Sequence, residues 1–314
     1  VKKAIVVGSG GQDGRLLWES LSRKNYQILG LRKNTIESNF GSDFRTVDIF
    51  KKEEVFALIK EFKPDEVYYL AAFHHNSEQK SDGMLEIYQK SQETHVLGLI
   101  HFLEAIVQLR PACRMFYAAS SMIFGEPPSD IQTEQTPFQP NSVYGITKLS
   151  GLLTCKYFRA THGVFASVGI LYNHESKYRG AAFLSQKTVL GALDVKHGRQ
   201  PLLKVGDLSA TVDWGSAADA VEAMQLILQA EKGEEFIVAT GQGHTVQDFV
   251  KTTFDLLGMD WIKYVEEDPS ILKRRKAILI GNAEKLKQVT GWSPKTSFSE
   301  MIREMIQAAE LKYI

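Results

Sequence analysis

Ser120, Tyr144 and Lys148 are the residues whose types and spacing could carry a hydride transfer. Oxidation of a secondary alcohol needs an acceptor for the hydroxyl proton, and a tyrosinate serves if its pKa falls below the ordinary value of about 10. Lys148 lies four residues after Tyr144, so on a helix the two share a face and the ammonium can reach towards the phenolate. Ser120 closes the strand-like run Met115–Ala119, where it could hold the substrate oxygen. A tyrosine and a lysine at that spacing say little alone. The start of the chain gives them weight: Gly8, Gly11 and Gly14 follow the apolar run Ala4–Val7, with Gln12 and Asp13 between the last two glycines. Glycines between a strand and a helix let the backbone approach a dinucleotide pyrophosphate and hand its charge to helix N-terminal amides. The two sets together point to a nicotinamide dinucleotide and an alcohol or ketone substrate, with Lys148 also within reach of the nicotinamide ribose.

The elements that must position these groups are legible as an alternation. Ala4–Val7, Gln27–Leu31, Arg45–Val47, Glu66–Ala71, Arg114–Ala119 and Phe165–Leu171 read as buried strands, and Arg15–Ser22, Lys52–Glu61, Met84–Leu109 and Tyr144–Thr161 as helices between them. That order predicts an α/β fold: a Rossmann-type, doubly wound parallel sheet with a smaller C-terminal substrate-binding portion. The predicted division is a dinucleotide-binding domain over residues 1–171, with the sheet rejoined near 206–240 through Glu235–Ala239. Residues 172–205 and 241–314, including Gly281 to Pro294 and the amphipathic stretch Phe298–Ala309, make up the smaller portion. Leu97, Ile100, Leu103 and Val107 form a helical apolar stripe that needs a packing partner, most simply the core. At the end of the second strand an acid would bind the adenosine ribose, whereas cations accommodate a 2′-phosphate. The chain has Arg32 and Lys33 there, which predicts NADP(H) over NAD(H).

Composition narrows the partners. Thirty-seven basic residues balance 37 acidic ones, so no overall field favours nucleic acid or an anionic membrane, and any anion must be bound locally. With 44% hydrophobic residues over 314 positions there is material for a sizeable core. Cys113 and Cys155 lack metal-type spacing and read as buried thiols of a reducing compartment. No signal-peptide pattern, bilayer-length apolar run or repeat is visible, so a cytoplasmic protein is expected.

These motifs and their order resemble the extended short-chain dehydrogenase/reductase family over almost the whole chain. The resemblance implies that Ser120, Tyr144 and Lys148 act together and that Asp48 and Ile49 meet the adenine. It further implies that Leu70, Ala71 and Ala72 pass under the ribose and pyrophosphate. A homodimer through the helices near 84–109 and 144–161 is likewise implied. Several strings resemble the GDP-mannose 4,6-dehydratase branch: Gly11-Gln12-Asp13-Gly14, Thr136-Pro137-Phe138, Asn173-His174-Glu175-Ser176 with Arg179-Gly180, and Asp213-Trp214-Gly215. Through that likeness Asn173, Arg179 and Lys187 are implicated in binding a nucleotide sugar.

Three departures from that branch bear on the chemistry. Its pattern after the fifth strand carries a glutamate that takes the sugar's C5 proton and assists loss of the C6 hydroxyl, and here that position is Met122. Val212 stands where the branch has a diphosphate-binding arginine. Lys273-Arg274-Arg275-Lys276 replaces an Arg-Pro-x-Glu pattern, and Arg274 and Arg275 could restore the missing cation. A replacement acid or base could come from His74, His75 or Glu126, and no metal is expected. The expected function is NADP(H)-dependent oxidoreduction at C4 of a nucleotide sugar, GDP-linked, as a 4-keto-sugar reductase or C4 epimerase. A 4,6-dehydratase with a relocated base and a non-catalytic, cofactor-sensing protein of the same fold are the competing readings.

Overall fold

The computed structural model of the chain describes residues 1–32, 44–74, 83–271, 277–311 and 313. Strands β1 (Lys3–Val7), β2 (Gln27–Leu31), β3 (Phe44–Arg45), β4 (Glu66–Tyr69) and β5 (Arg114–Ser120) are followed by a short β6 (Ile131–Gln132), then by β7 (Ala166–Leu171) and β8 (Asn173–Glu175). After them come β9 (Leu203–Val205), β10 (Thr211–Ser216), β11 (Glu235–Val238) and β12 (Gly243–Thr245). Seven of these form one parallel sheet in the order β3-β2-β1-β4-β5-β7-β11. The order reverses between β1 and β4, and in such sheets ligands bind in the crevice outside the carboxyl ends at that point.

Why these runs become strands is visible in their two-residue alternation. Ile5 and Val7, Val67 and Tyr69, and Met115, Tyr117 and Ala119 join one buried cluster, whereas Ala4 and Val6, Tyr68, and Phe116 and Ala118 join the other. A strand buried on both faces has no polar side, which is why these segments read as continuous apolar runs. The first face is covered by α2 (Lys52–Phe62), α4 (Gly98–Leu109) and α5 (Val143–His162), the second by α1 (Gln12–Arg23) and α7 (Ala217–Ile227). Cys113 and Cys155 are buried in the first cluster, where burial pushes both thiols up to about 12 and keeps them inert.

A third cluster is built by α6 (Leu184–Lys196), α8 (Val246–Leu256) and α10 (Phe298–Glu310), around Trp214, Phe249, Phe254, Ile302 and Met305. Asp213 joins this lobe to the main sheet. Its carboxylate accepts from Thr240 N at 3.0 Å, Thr240 Oγ1 at 2.5 Å, Gly241 N at 3.0 Å and Gly281 N at 3.1 Å. That structural role accounts for the acid of Asp213-Trp214-Gly215. Among the described residues no helix is long and apolar enough to cross a membrane.

The helix expected over 84–109 is continuous but irregular: α3 (Met84–Gln92) runs through a π-helical turn, Glu93–Leu97, directly into α4. The wider turn rotates the following face, so the predicted stripe does not share one environment. Leu103 lies in the core, Ile100 and Val107 sit at its edge, and Leu97 is 42% exposed. The third strand covers Phe44–Arg45 rather than running on to Val47, because Asp48 accepts from Phe50 N at 3.0 Å and turns the chain into α2.

Candidate active site

The loop between β1 and α1 is drawn under the end of β4. Gly8 has φ +90°, and a Cβ there would stand 2.8 Å from Ala71 N; one on Gly14 would stand 2.5 Å from Gly8 O. Only glycine allows both approaches. At Gly11 a Cβ would meet nothing nearer than Gly8 O at 3.5 Å, so the space above that residue is open. Gly11 also begins α1 without a side-chain cap, leaving the first-turn amides to an anion. Leu70, Ala71 and Ala72 run past this loop, with Leu70 N donating to Val7 O at 2.9 Å. The cradle therefore fits a dinucleotide pyrophosphate, for which Gly11 leaves room.

Beside it, Arg32 Nε lies 3.4 Å from Ser9 Oγ, and Arg15 Nε donates to Gly10 O at 3.1 Å. Burial, with Arg15's charge beside it, pushes the Arg32 guanidinium below its usual range. Arg15 was not foreseen; its only signal was a cation directly after the glycine pattern. Asp48 is exposed and capping its turn, and the Ile49 carbonyl faces His101 Nδ1 at 3.0 Å, so both have local structural roles. Lys33 lies outside the described residues.

Ser120 ends β5 half-buried, and its Oγ accepts from Met122 N at 3.2 Å, shaping a single 3-10 turn. That turn docks on the start of α5: a Cβ on Gly145 would be 2.5 Å from Met122 O. Ser142 caps α5 by accepting from Gly145 N at 3.1 Å, which places Tyr144 in the first turn with Lys148 one turn on. Lys148 is 1% exposed, donates to Ala118 O at 2.7 Å and holds its ammonium 5.7 Å from the Tyr144 ring centroid.

The electrostatics differ from the sequence expectation. Burial pushes the Tyr144 phenol up to about 12, with Arg179 pulling the other way, and burial depresses Lys148 to about 7. A lysine whose charged form is disfavoured by burial is a weaker stabiliser of a phenolate. In the protein alone Tyr144 therefore holds its proton, the form that a donor requires.

A clasp joins two of the motifs singled out in the sequence. His174 Nε2 lies 3.0 Å from each Asp13 oxygen and Nδ1 lies 2.6 Å from Tyr172 O, so both ring nitrogens donate and the ring is an imidazolium. In keeping with this, Asp13 is held below the usual carboxylate range and His174 above its own, in both cases against the effect of burial. Gln12 Nε2 donates to His174 O at 2.9 Å, and Ser176 Oγ donates to Gln12 Oε1 at 3.0 Å. Gln12 and Asp13 thus tie the glycine loop to the start of the second lobe. Asn173, in register with Trp214, opens that lobe and is exposed. Arg179 pairs with buried Glu175 at 2.9 Å and lies 3.8 Å over Phe183. On Phe183 also stacks His74, whose ring meets Tyr144 edge-on with centroids 5.5 Å apart.

His74, Arg179, Phe183 and Tyr144 therefore share one wall. Lys187 lies nearby in the first turn of α6, half-buried. Glu126 is exposed and accepts from Asn141 Nδ2 at 3.2 Å. Val212 bridges Leu279, so the chain leaving the basic cluster returns beside it. His75, Arg274 and Arg275 lie outside the described residues.

The fold recurs in known proteins. A UDP-glucose 4-epimerase of Thermus thermophilus solved with NAD superposes with a TM-score of 0.83 at 22% identity, covering 98% of this chain and 99% of its own. RMD from Pseudomonas aeruginosa, solved with NADPH, gives 0.83 at 19% identity, covering 99% of this chain and 100% of its own. These likenesses establish the fold. The sequence relatives are closer: GDP-mannose 4,6 dehydratase 2 of Arabidopsis thaliana is 34% identical over 328 residues, 97% of this chain and 86% of its own length. A family model described as GDP-mannose 4,6 dehydratase spans residues 5–305, from the first strand through the glycine loop, the Tyr144 helix and the clasp into the last helix. On that span the chain belongs to the GDP-mannose 4,6 dehydratase family, among the extended short-chain dehydrogenase-type nucleotide-sugar enzymes.

Proposed function

We propose that the protein catalyses NADP(H)-dependent oxidoreduction at C4 of a GDP-linked sugar, with net reduction of a 4-keto sugar favoured over C4 epimerisation. The observation that carries this reading is half-buried Tyr144 paired with buried Lys148, with Met122 in the turn docked against their helix. Bound NADPH supplies the hydride. Tyr144, which keeps its phenolic proton, donates it to the C4 oxygen; Ser120 at the strand end orients that oxygen; Lys148 holds the nicotinamide ribose. Burial holds the Tyr144 phenol above its ordinary range, so it rests in the donor form that the reductive direction uses.

Asn173, Arg179 and Lys187 line the side where the nucleotide sugar enters, and residues 172–205 and 241–314 are its binding portion. Arg274 and Arg275 supply diphosphate charge that Val212 lacks. The test is NADPH consumption with a GDP-4-keto-6-deoxy sugar, read as loss of nicotinamide absorbance and gain of two hydrogens in the product mass. Absence of turnover on both C4 epimers of that product, offered with NADP, and on the ketone would refute the reading.

The neighbours include one solved with NAD and one with NADPH, so cofactor choice rests on this chain's cations. Arg32, with Arg15 beside it, receives the 2′-phosphate, and Lys33 adds a cation next in sequence. Calorimetry should show NADPH binding at least about tenfold more tightly than NADH, the scale of one charge-assisted contact. Arg32→Ala should close most of that gap; equal affinities in the parent protein would rule the assignment out.

A second copy of the chain packs on the outer side of α5. Ile146 (37% exposed), Leu153 (50%) and Tyr157 (60%) line up there at helical spacing, with Leu97 on the adjoining helix. Sedimentation as a dimer that Leu153→Glu converts to a monomer is expected; a parent protein that sediments as a monomer would rule the dimer out.

A further inference from the structure

His95 has no part in the chemistry above, yet it lies fully buried in the π-helical turn, between the segment after β4 and the helix carrying Tyr144. A π turn is rare within an α-helix and is found frequently at functional sites. Here the ring joins two elements. Nε2 is 3.0 Å from the Phe73 backbone N–H, and Nδ1 is 2.8 Å from Thr147 Oγ1. A backbone amide can only donate, so Nε2 carries no proton; the ring's one proton sits on Nδ1 and is donated to Thr147. The Thr147 hydroxyl in turn donates to Val143 O at 3.0 Å, with Tyr144 O at 3.2 Å as its second acceptor. The imidazole also meets the Tyr144 ring edge-on, at 89° and 5.3 Å between centroids.

We propose that His95 is a positioning residue, which fixes Tyr144 against the segment after β4 by linking Phe73 N–H through Thr147 to the first turn of α5. The proposal rests on the reading of Tyr144 as the acid/base. The groups facing the ring are Phe73 N–H, Thr147, Tyr144, Lys148 and His74. An imidazolium would oppose two N–H groups and place a second cation beside Lys148. Burial, with smaller contributions from Lys148 and His74, pushes His95 down to about 2, so the ring stays neutral through the working range.

The test has two arms. In ¹⁵N-histidine-labelled protein, the resonances that vanish in His95→Phe should report an Nδ1–H tautomer unchanged from about pH 8 to about pH 5, where an ordinary histidine titrates. An Nε2–H tautomer, or titration in that interval, would overturn the proposal without reference to activity. In the kinetic arm, His95→Phe keeps a ring but loses both hydrogen bonds. Its kcat should fall about 10- to 100-fold, the scale of a small misplacement of a reacting group, with NADPH affinity and sugar KM nearly unchanged. His95→Asn, which offers both an acceptor and a donor, should recover part of the loss. Parent-like kcat in His95→Phe overturns the proposal. If the phenylalanine variant fails to fold, the asparagine variant carries the kinetic comparison and assigns the resonance. If Tyr144→Phe itself retains activity, the catalytic reading fails while the tautomer result still stands or falls by itself.

Discussion

Tyr144→Phe should lower kcat for the ketone on the order of 10³-fold while leaving NADPH affinity within about threefold. The change removes one oxygen, and that oxygen is the proposed proton donor. Nothing else in the first turn of α5 depends on it: Ser142 caps the helix, Lys148 holds Ala118 O, and Thr147 makes the link to His95. The ring's own contacts with His74 and His95 survive in phenylalanine. Melting temperature should therefore change little, and the loss would lie in chemistry. Single-turnover NADPH oxidation separates the two. A variant that binds NADPH and oxidises it at more than about a tenth of the parent rate would remove Tyr144 from the mechanism.

Much of this site was legible because its parts obey local rules. A strand buried on both faces has to be apolar throughout, which made the inner strands of the main sheet legible, with errors confined to their ends; the edge strand β3, with Arg45 exposed, was placed with its end two residues too far on. Gly8 and Gly14 are demanded by backbone contacts with Ala71 and with Gly8 itself, which is why the pattern could be trusted before any coordinates were known. Tyr144 and Lys148 share a face through helix geometry alone. What could not be read depends on contacts between distant segments. The Asp13–His174 clasp joins residues 161 positions apart, so the motifs were visible as strings but their mutual contact was not. The depressed Lys148 and raised Tyr144 follow from burial, which spacing does not report. His95 was missed because a histidine within an apolar helix reads as an ordinary core residue, and the π turn that aims it has no sequence signature. Arg15 was missed because it falls just outside the glycine pattern.

GDP-mannose incubated with this protein and NADP should yield the 4-keto-6-deoxy product at less than about a hundredth of the rate expected with a catalytic carboxylate in place, since general acid-base catalysis contributes typically 10²–10⁴-fold. Elimination across C5 and C6 requires removal of the C5 proton after oxidation at C4. Met122, in the turn docked on α5, presents a thioether that accepts no proton at any accessible pH. Glu126, the nearest carboxylate in sequence, is exposed and bonded to Asn141. Met122→Glu supplies the carboxylate at the position implied by the family likeness, and elimination should appear in that variant. Loss of water by mass, together with exchange of the C5 hydrogen in heavy water, distinguishes elimination from simple oxidation. Rapid dehydration with exchange by the unmodified protein would overturn the reductase reading. The base would then be His74, whose ring meets Tyr144 at 5.5 Å on the substrate wall, and His74→Ala would abolish the exchange.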